Sequence, residues 1–274
     1  MAVENFKQTL WEGALLHNFH NVSIADVITT KPTSVEGNKI IFNRVGAGNI
    51  KDYTGTVSWD DINTTPIEMT FEQKKYFAFA LDDVDRVQSK ADVLKATTEE
   101  HGADLAETVD SYILDKAVAG VVAGNKIGSK TTKKDVDKTN IYDYIVDLGT
   151  LLSKKKAPKT DRFVVVNAEI LGLLSKDDRF TRNPDVLANG VVTNAKINGM
   201  TVVETEEITE GSVLALHKSA LGYDKQIDEM EAMRVQSSFA DGIRGLCVYD
   251  SVVLRDDAMA VLHYNIKADE EPIA

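Results

Sequence analysis

The stretch from residue 91 to 120 constrains the architecture of this chain more than any other. Leu94, Gly102, Leu105, Ala106, Val109, Ile113, Lys116 and Ala117 follow one another at three- and four-residue steps. That spacing lines side chains up on one face of a helix. Asp82-Asp83-Val84-Asp85 and the Ser89-x-x-Asp92 spacing supply capping oxygens ahead of it. A continuous helix of this length runs roughly 45 Å, longer than a typical globular helix and long enough to span a whole domain. Gly102 weakens it by about 1 kcal/mol relative to alanine unless close packing needs the space.

The segments before the helix read as extensions. In residues 1–33, Phe6, Leu10 and Ala14 fall at helical spacing, Trp11 lies beside them, and Lys31-Pro32 closes the arm. Such an apolar-bearing arm must lie on its own domain or on a neighbouring copy. Residues 39–45 form a short apolar, β-branched strand ended by Gly46-Ala47-Gly48-Asn49. A second strand starts near Ile67–Phe71 and resumes in Tyr76–Leu81. Between them lies a long excursion of Gly, Asp, Asn and Thr carrying Lys51, Tyr53 and Trp59. Loops of this length are uncommon in compact domains unless they are functional. Its aromatics point to contact with a partner, or to a tip folded back on its own domain.

After the helix, residues 124–138 make a polar, lysine-rich linker, and residues 140–220 alternate helix and strand. Asn140 with Asp143 is the expected cap of a helix carrying Ile141, Ile145, Leu148, Leu151 and Leu152, closed by Lys154-Lys155-Lys156. Phe163–Val166 reads as a buried strand, Asn198-Gly199 as a hairpin turn, and Ser212–Leu216 as another strand. The tail returns to strand patterns at 246–249, 252–254 and 260–264.

Composition narrows the function classes. The chain has 274 residues, 31 Lys plus Arg, 43 Asp plus Glu, and a net charge of −12, which argues against a protein that mainly grips nucleic acid through phosphates. No apolar run is long enough to cross a membrane, and the first residues do not read as a secretory signal. A single cysteine, Cys247, excludes an internal disulfide, so folding in a reducing cytoplasm is expected. Five histidines and one cysteine leave little for a structural zinc site.

The chemistry-bearing patterns are weak. Gly124-Asn125-Lys126-Ile127-Gly128-Ser129-Lys130 has three residues between its glycines and a serine before the lysine, so it departs from a phosphate-binding loop. Asp82, Asp83 and Asp85 lack the turn glycine and distal glutamate of a calcium loop, and helix capping explains them with fewer assumptions. His17 and His20 have no third ligand nearby. His101, His217 and His263 show no triad signature, and Cys247 lies in an apolar strand where thiols are inert. No catalytic, cofactor-binding or metal residue is assigned, and no cofactor is expected.

With these segments drawn, the sequence resembles the major capsid proteins of tailed bacteriophages of the HK-ninety-seven type. The likeness is strongest from Asp52-Tyr53-Thr54-Gly55-Thr56-Val57 through the run from Phe71-Glu72-Gln73-Lys74-Lys75-Tyr76-Phe77 to Asp82-Asp83-Val84-Asp85-Arg86-Val87-Gln88. It returns in Leu216–Ala220, Phe239–Gly242 and Val252–Arg255. The resemblance implies an α+β fold, HK-ninety-seven-like. Residues 1–33 would be an N-terminal arm, and 34–81 an extended β-hairpin loop with its supporting strands. Residues 82–124 and 241–274 would form a peripheral domain on the spine helix, and 125–240 an axial α/β domain.

It further implies a non-enzymatic subunit that assembles with itself, as hexamers and pentamers, into an icosahedral head enclosing double-stranded DNA without sequence-specific binding. Such a head forms in the host cytoplasm and becomes the virion capsid. Phe6, Leu10, Trp11, Lys51, Tyr53 and Trp59 are the expected intersubunit contacts. A separate scaffolding protein, a portal and a decoration protein are the further expected partners, with no proteolysis of this chain and no membrane. Lys51 and Asn265 lack an assignable carboxylate catalyst, so an intersubunit isopeptide is not expected. An encapsulin-like nanocompartment shell, or a soluble α/β enzyme without recognisable motif, are the alternatives.

Overall fold

The computed structural model describes residues 23–36, 39–45, 51–53, 55, 64–82, 92–181, 196–234 and 240–267. The described chain begins with helix α1 (Ala25–Ile28), followed by strands β1 (Ser34–Glu36), β2 (Lys39–Val45), β3 (Thr64–Thr70) and β4 (Gln73–Asp82). The apolar stripe forms α2 (Asp92–Gly120), matching the expected span. Short strands β5 (Lys126–Ile127) and β6 (Lys134–Val136) lead to α3 (Ile141–Lys154), β7 (Arg162–Val166), α4 (Ala168–Ser175) and α5 (Asp178–Thr181). The remainder is strand: β8 (Lys196–Ile197), β9 (Met200–Glu204), β10 (Ser212–His217), β11 (Leu221–Arg234), β12 (Ala240–Val253) and β13 (Met259–Ile266).

These strands make three sheets. β1, β2 and β3 form an antiparallel hairpin unit. β11, β12 and β4 form a long antiparallel sheet in which β11 and β12 pair from Leu221–Val253 to Arg234–Asp241. The third sheet runs β5-β13-β10-β7-β9-β8, with β6 also on β13. β10 and the first six residues of β13 are buried throughout, as expected for strands covered on both faces. The helix α3 buries Ile141, Ile145, Leu148 and Leu152, one every three or four residues.

The long helix is held by what its stripe buries. Leu105, Ala106, Val109, Ile113, Leu114, Ala117 and Val118 lie in a core shared with Tyr223, Cys247 and Tyr249 of the long sheet. Each fully buried aliphatic side chain of this kind contributes roughly 1.5–3 kcal/mol. A polar clasp fixes the register. Lys116 Nζ lies 2.7 Å from Asp250 Oδ1, and the Tyr112 hydroxyl donates to the same oxygen at 3.0 Å. Burial works against the Lys116 ammonium, yet its bonds to Asp250 and Tyr112 outweigh that and raise its pKa.

Two sequence expectations change in detail. The strand expected to run interrupted through 67–81 is two strands in two sheets: β3 pairs with β2, whereas β4 pairs with β12. The break falls where Phe71 turns into a small core and the Glu72 amide donates to Asp250 Oδ2 at 3.3 Å. β11 belongs to the long sheet, while β13 completes the seven-stranded one. The cap of α3 is also displaced. Asn140 makes no capping bond, and the Asp137 carboxylate instead accepts the Thr139 and Asn140 amides at 2.8 and 3.1 Å.

Candidate functional site

The residues with chemical potential are packing groups held apart by the sheets. His217 and His263 lie at opposite ends of the β10–β13 pair. His217 Nδ1 accepts the Ser219 amide at 3.1 Å, and burial together with nearby Arg255 pushes its pKa down. His263 Nδ1 sits 3.1 Å from the Ser212 hydroxyl, and burial with the charges of Lys126, Lys130 and Lys133 lowers its pKa too. His101 stacks on Phe79 with ring centroids 4.9 Å apart. Burial pushes the Cys247 thiol up to about 11, so the thiolate that would react is scarce at neutral pH. Asp82 ends β4, whereas Asp83, Asp85, His17 and His20 lie outside the described residues. Among the described residues, no three His, Cys, Asp or Glu side chains gather in a way that could hold a metal ion.

What the fold shows instead is a hairpin of β2 and β3 seated on a firm base. Ile40 and Phe42 of β2, Met69 of β3 and Phe71 pack on Val248 of the long sheet in a separate small core, with Leu246, Val252 and Leu254 at its margin. Gly222 makes room for this contact, since a Cβ there would meet the Phe42 ring at 2.6 Å. Beyond the base, Lys51 and Tyr53 are exposed, Tyr53 to 77% of its surface. Of the six contact residues expected from the sequence, only these two are placed; Phe6, Leu10, Trp11 and Trp59 lie outside the described residues. Tyr76, on β4, is a further large exposed aromatic at 81%.

The last part of the arm docks on its own chain. Ala25 and Ile28 are fully buried in the main core. The Asp110 carboxylate of α2, itself only 4% exposed, accepts the Ser23 hydroxyl at 2.8 Å and the Ile24 and Ala25 amides at 2.9 and 3.2 Å. Those amides open α1, so a carboxylate from a distant helix does the work of a cap. Thr30 then bonds β11 through its amide to the Leu221 carbonyl at 2.8 Å. Beneath lies Lys225, 3.8 Å from Asp26, its pKa pushed down to about 8 chiefly by burial. Asp110 belongs to no motif in the sequence, and its partners Ser23, Ile24 and Ala25 lie more than 80 residues away. Its position between Val109 and Ile113, on a buried face, was the available signal.

The family described as phage capsid protein matches residues 67–263, from within β3 to the fifth residue of β13. Among solved structures, one titled Mycobacterium phage Che8 is 30% identical, covers 83% of this chain and 85% of its own, and superposes with a TM-score of 0.65. The capsid structure of the cyanophage P-SCSP1u shares the fold at 17% identity, with 89% of each chain covered and a TM-score of 0.68. A virus-like particle from Pyrococcus furiosus also shares the fold, at 13% identity, 91% and 96% coverage and a TM-score of 0.61. No curated protein matches the chain.

Proposed function

The chain belongs to the phage capsid protein family and is a major capsid shell protein; from that premise we propose how its copies close a container around a genome. Each copy extends its hairpin and its arm over neighbours, so that Phe6, Leu10, Trp11, Lys51, Tyr53 and Trp59 bury their surface between copies rather than within one. The observation that carries this reading is the contrast at the hairpin between its firmly packed base and an exposed aromatic beyond it: Phe42 and Met69 are buried while Tyr53 is exposed. Large aromatics displayed on an otherwise well-packed protein mark interaction surfaces. Burial at about 25 cal/mol per Å² over many copies stabilises a shell even when each contact is weak.

The spine helix with the long sheet would form the peripheral domain, and the seven-stranded sheet with α3 the axial domain at capsomer centres. The copies would assemble in the host cytoplasm as hexamers and pentamers, with a separate scaffolding protein and a portal, around double-stranded DNA held without sequence reading. The acidic balance of −12 keeps subunit and phosphates from clinging to each other. Electron microscopy of the purified chain tests the reading: closed shells or capsomers are expected, and a persistently monomeric protein under all assembly conditions would overturn it. The fold shared with the Pyrococcus furiosus particle supports a second reading, a nanocompartment shell; protein cargo instead of nucleic acid inside native particles would select it.

A further inference from the structure

The segment Lys154-Lys155-Lys156-Ala157-Pro158-Lys159 puts four lysines into six residues of an acidic chain. It is a shaped loop rather than a frayed helix end. Arg162, only 3% exposed, clips it from below: its Nε donates to the Pro158 carbonyl at 2.6 Å and its Nη2 to the Ala157 carbonyl at 2.7 Å. Its Nη1 reaches the Ser153 hydroxyl at 2.9 Å. Ala157 is buried, and Lys156 and Asp161 hold positive φ values of 58° and 52°. All four lysines are exposed, and among the described residues none has a carboxylate within ion-pairing distance. Lysine favours a helix C-terminus through the macrodipole, but that effect fades within the last turn and does not account for Lys159.

The opposite charge lies at the other end of the same strand. β7 leaves the lysine loop at Arg162 and ends at Val166, whose carbonyl accepts the Thr205 amide at 2.9 Å. There Glu204, Glu206, Glu207 and Glu210 follow one another with no basic residue between them. Glu207 faces α2 across an open groove of about 510 Å³, lined by Asp104, Glu107, Thr108, Ser111 and Glu207 itself. Burial, with Glu107 and Asp110 close by, pushes the Glu207 carboxyl up, as expected where negative charge is crowded without a cation. Four residue steps of about 3.3 Å put roughly 13 Å of strand between the two charge clusters. The two clusters stand at opposite ends of one strand and form no ion pair with each other among the described residues, so their charges are left to be matched between molecules.

We propose that the lysine loop at the end of α3 is a docking surface for a second copy of this chain, which presents to it the acidic groove beside α2. The contact joins two different patches, so it is head-to-tail and propagates from copy to copy until a ring closes. It rests on the shell reading and adds to it a specific contact within the ring.

Two measurements test it. Reversing the loop (K154E, K155E and K159E together) is expected to lower the yield of capsomers and shells roughly tenfold or more near ~0.1 M salt, where exposed charges still act over about 10 Å. Adding E107K and E207K to that variant restores assembly. Thermal melts of each variant separate lost docking from lost folding. In the wild type, a carbodiimide joins a lysine amine to a carboxylate only where the two touch. Particles assembled from mixed ¹⁴N and ¹⁵N chains are expected to give cross-links from Lys154, Lys155, Lys156 or Lys159 of one isotope to Glu107 or Glu207 of the other. Particles that form without such cross-links, or a folded reversed-loop variant that assembles like the wild type, would overturn the inference and leave the shell reading standing. A wild type that never assembles removes both.

Discussion

Asp110 shows how one residue ties two distant stretches of sequence together. A buried carboxylate that accepts three bonds leaves three donors stranded when it is removed, and each unsatisfied buried donor costs about 1–3 kcal/mol. Because removing the buried carboxylate also removes its own desolvation cost, D110A is expected to lose about 2–5 kcal/mol in urea unfolding. Protease nicking near residues 23–30 should accompany that loss, because α1 would no longer be capped; an unchanged midpoint would show that the arm docks by apolar contact alone. His263 gives a pH signature. Its folded pKa lies below the ordinary 6.5, so the folded state takes up its proton less readily than the unfolded chain. Its contribution is intact above about pH 6.5 and is lost as the pH falls through that value. H263Q is expected to flatten part of the fall of stability as the pH drops below about 6.5 in a series of denaturant titrations.

Among the elements, legibility followed the range of the forces involved. The span of α2 was plain because an apolar stripe is a local pattern, and the turn at Asn198-Gly199 because both residues hold positive φ, 48° and 78°. The division between β3 and β4 was not plain. Two alternating runs separated by Phe71 and Glu72 look like one interrupted strand, and only pairing with β12, some 170 residues later, parts them. The cap of α3 went to Asp137 because its carboxylate reaches two amides of the preceding turn, a geometry that residue spacing alone does not reveal. Of the expected contact residues, composition marked the exposed Tyr53 but gave no hint of Tyr76, which stands in an alternating strand. The hairpin base offers an element-level test. G222A pushes a methyl into the buried Phe42 ring and is expected to cost about 1–3 kcal/mol, as overpacking does. F42L in the same chain should return part of that loss, and simple additivity of the two in a double-mutant cycle would place the strain elsewhere.

For the molecule as a whole, the small core of the hairpin base and the main core are separate clusters that meet along the long sheet. Stability of the single chain and competence to assemble should thus be separable. Replacing residues 49–61 by a short Gly-Ser bridge keeps Phe42 and Met69 in place, so the melting temperature is expected to stay within a few degrees of the wild type. Closed particles should disappear from electron micrographs of the same sample. Shells of normal appearance from that variant would transfer the burden of interlocking to the arm.

The two chain passes that pair as β10 with β13 continue, through short turns on both sides, into the pair of β11 with β12. One antiparallel ribbon thus threads both large sheets. Pulling such a ribbon lengthwise strains its backbone bonds all together in shear, whereas pulling it sideways opens them one after another like a zip. A closed shell under outward load stretches its wall in the plane. Wherever the ribbon lies along that stretch, each panel meets the load with its strongest direction.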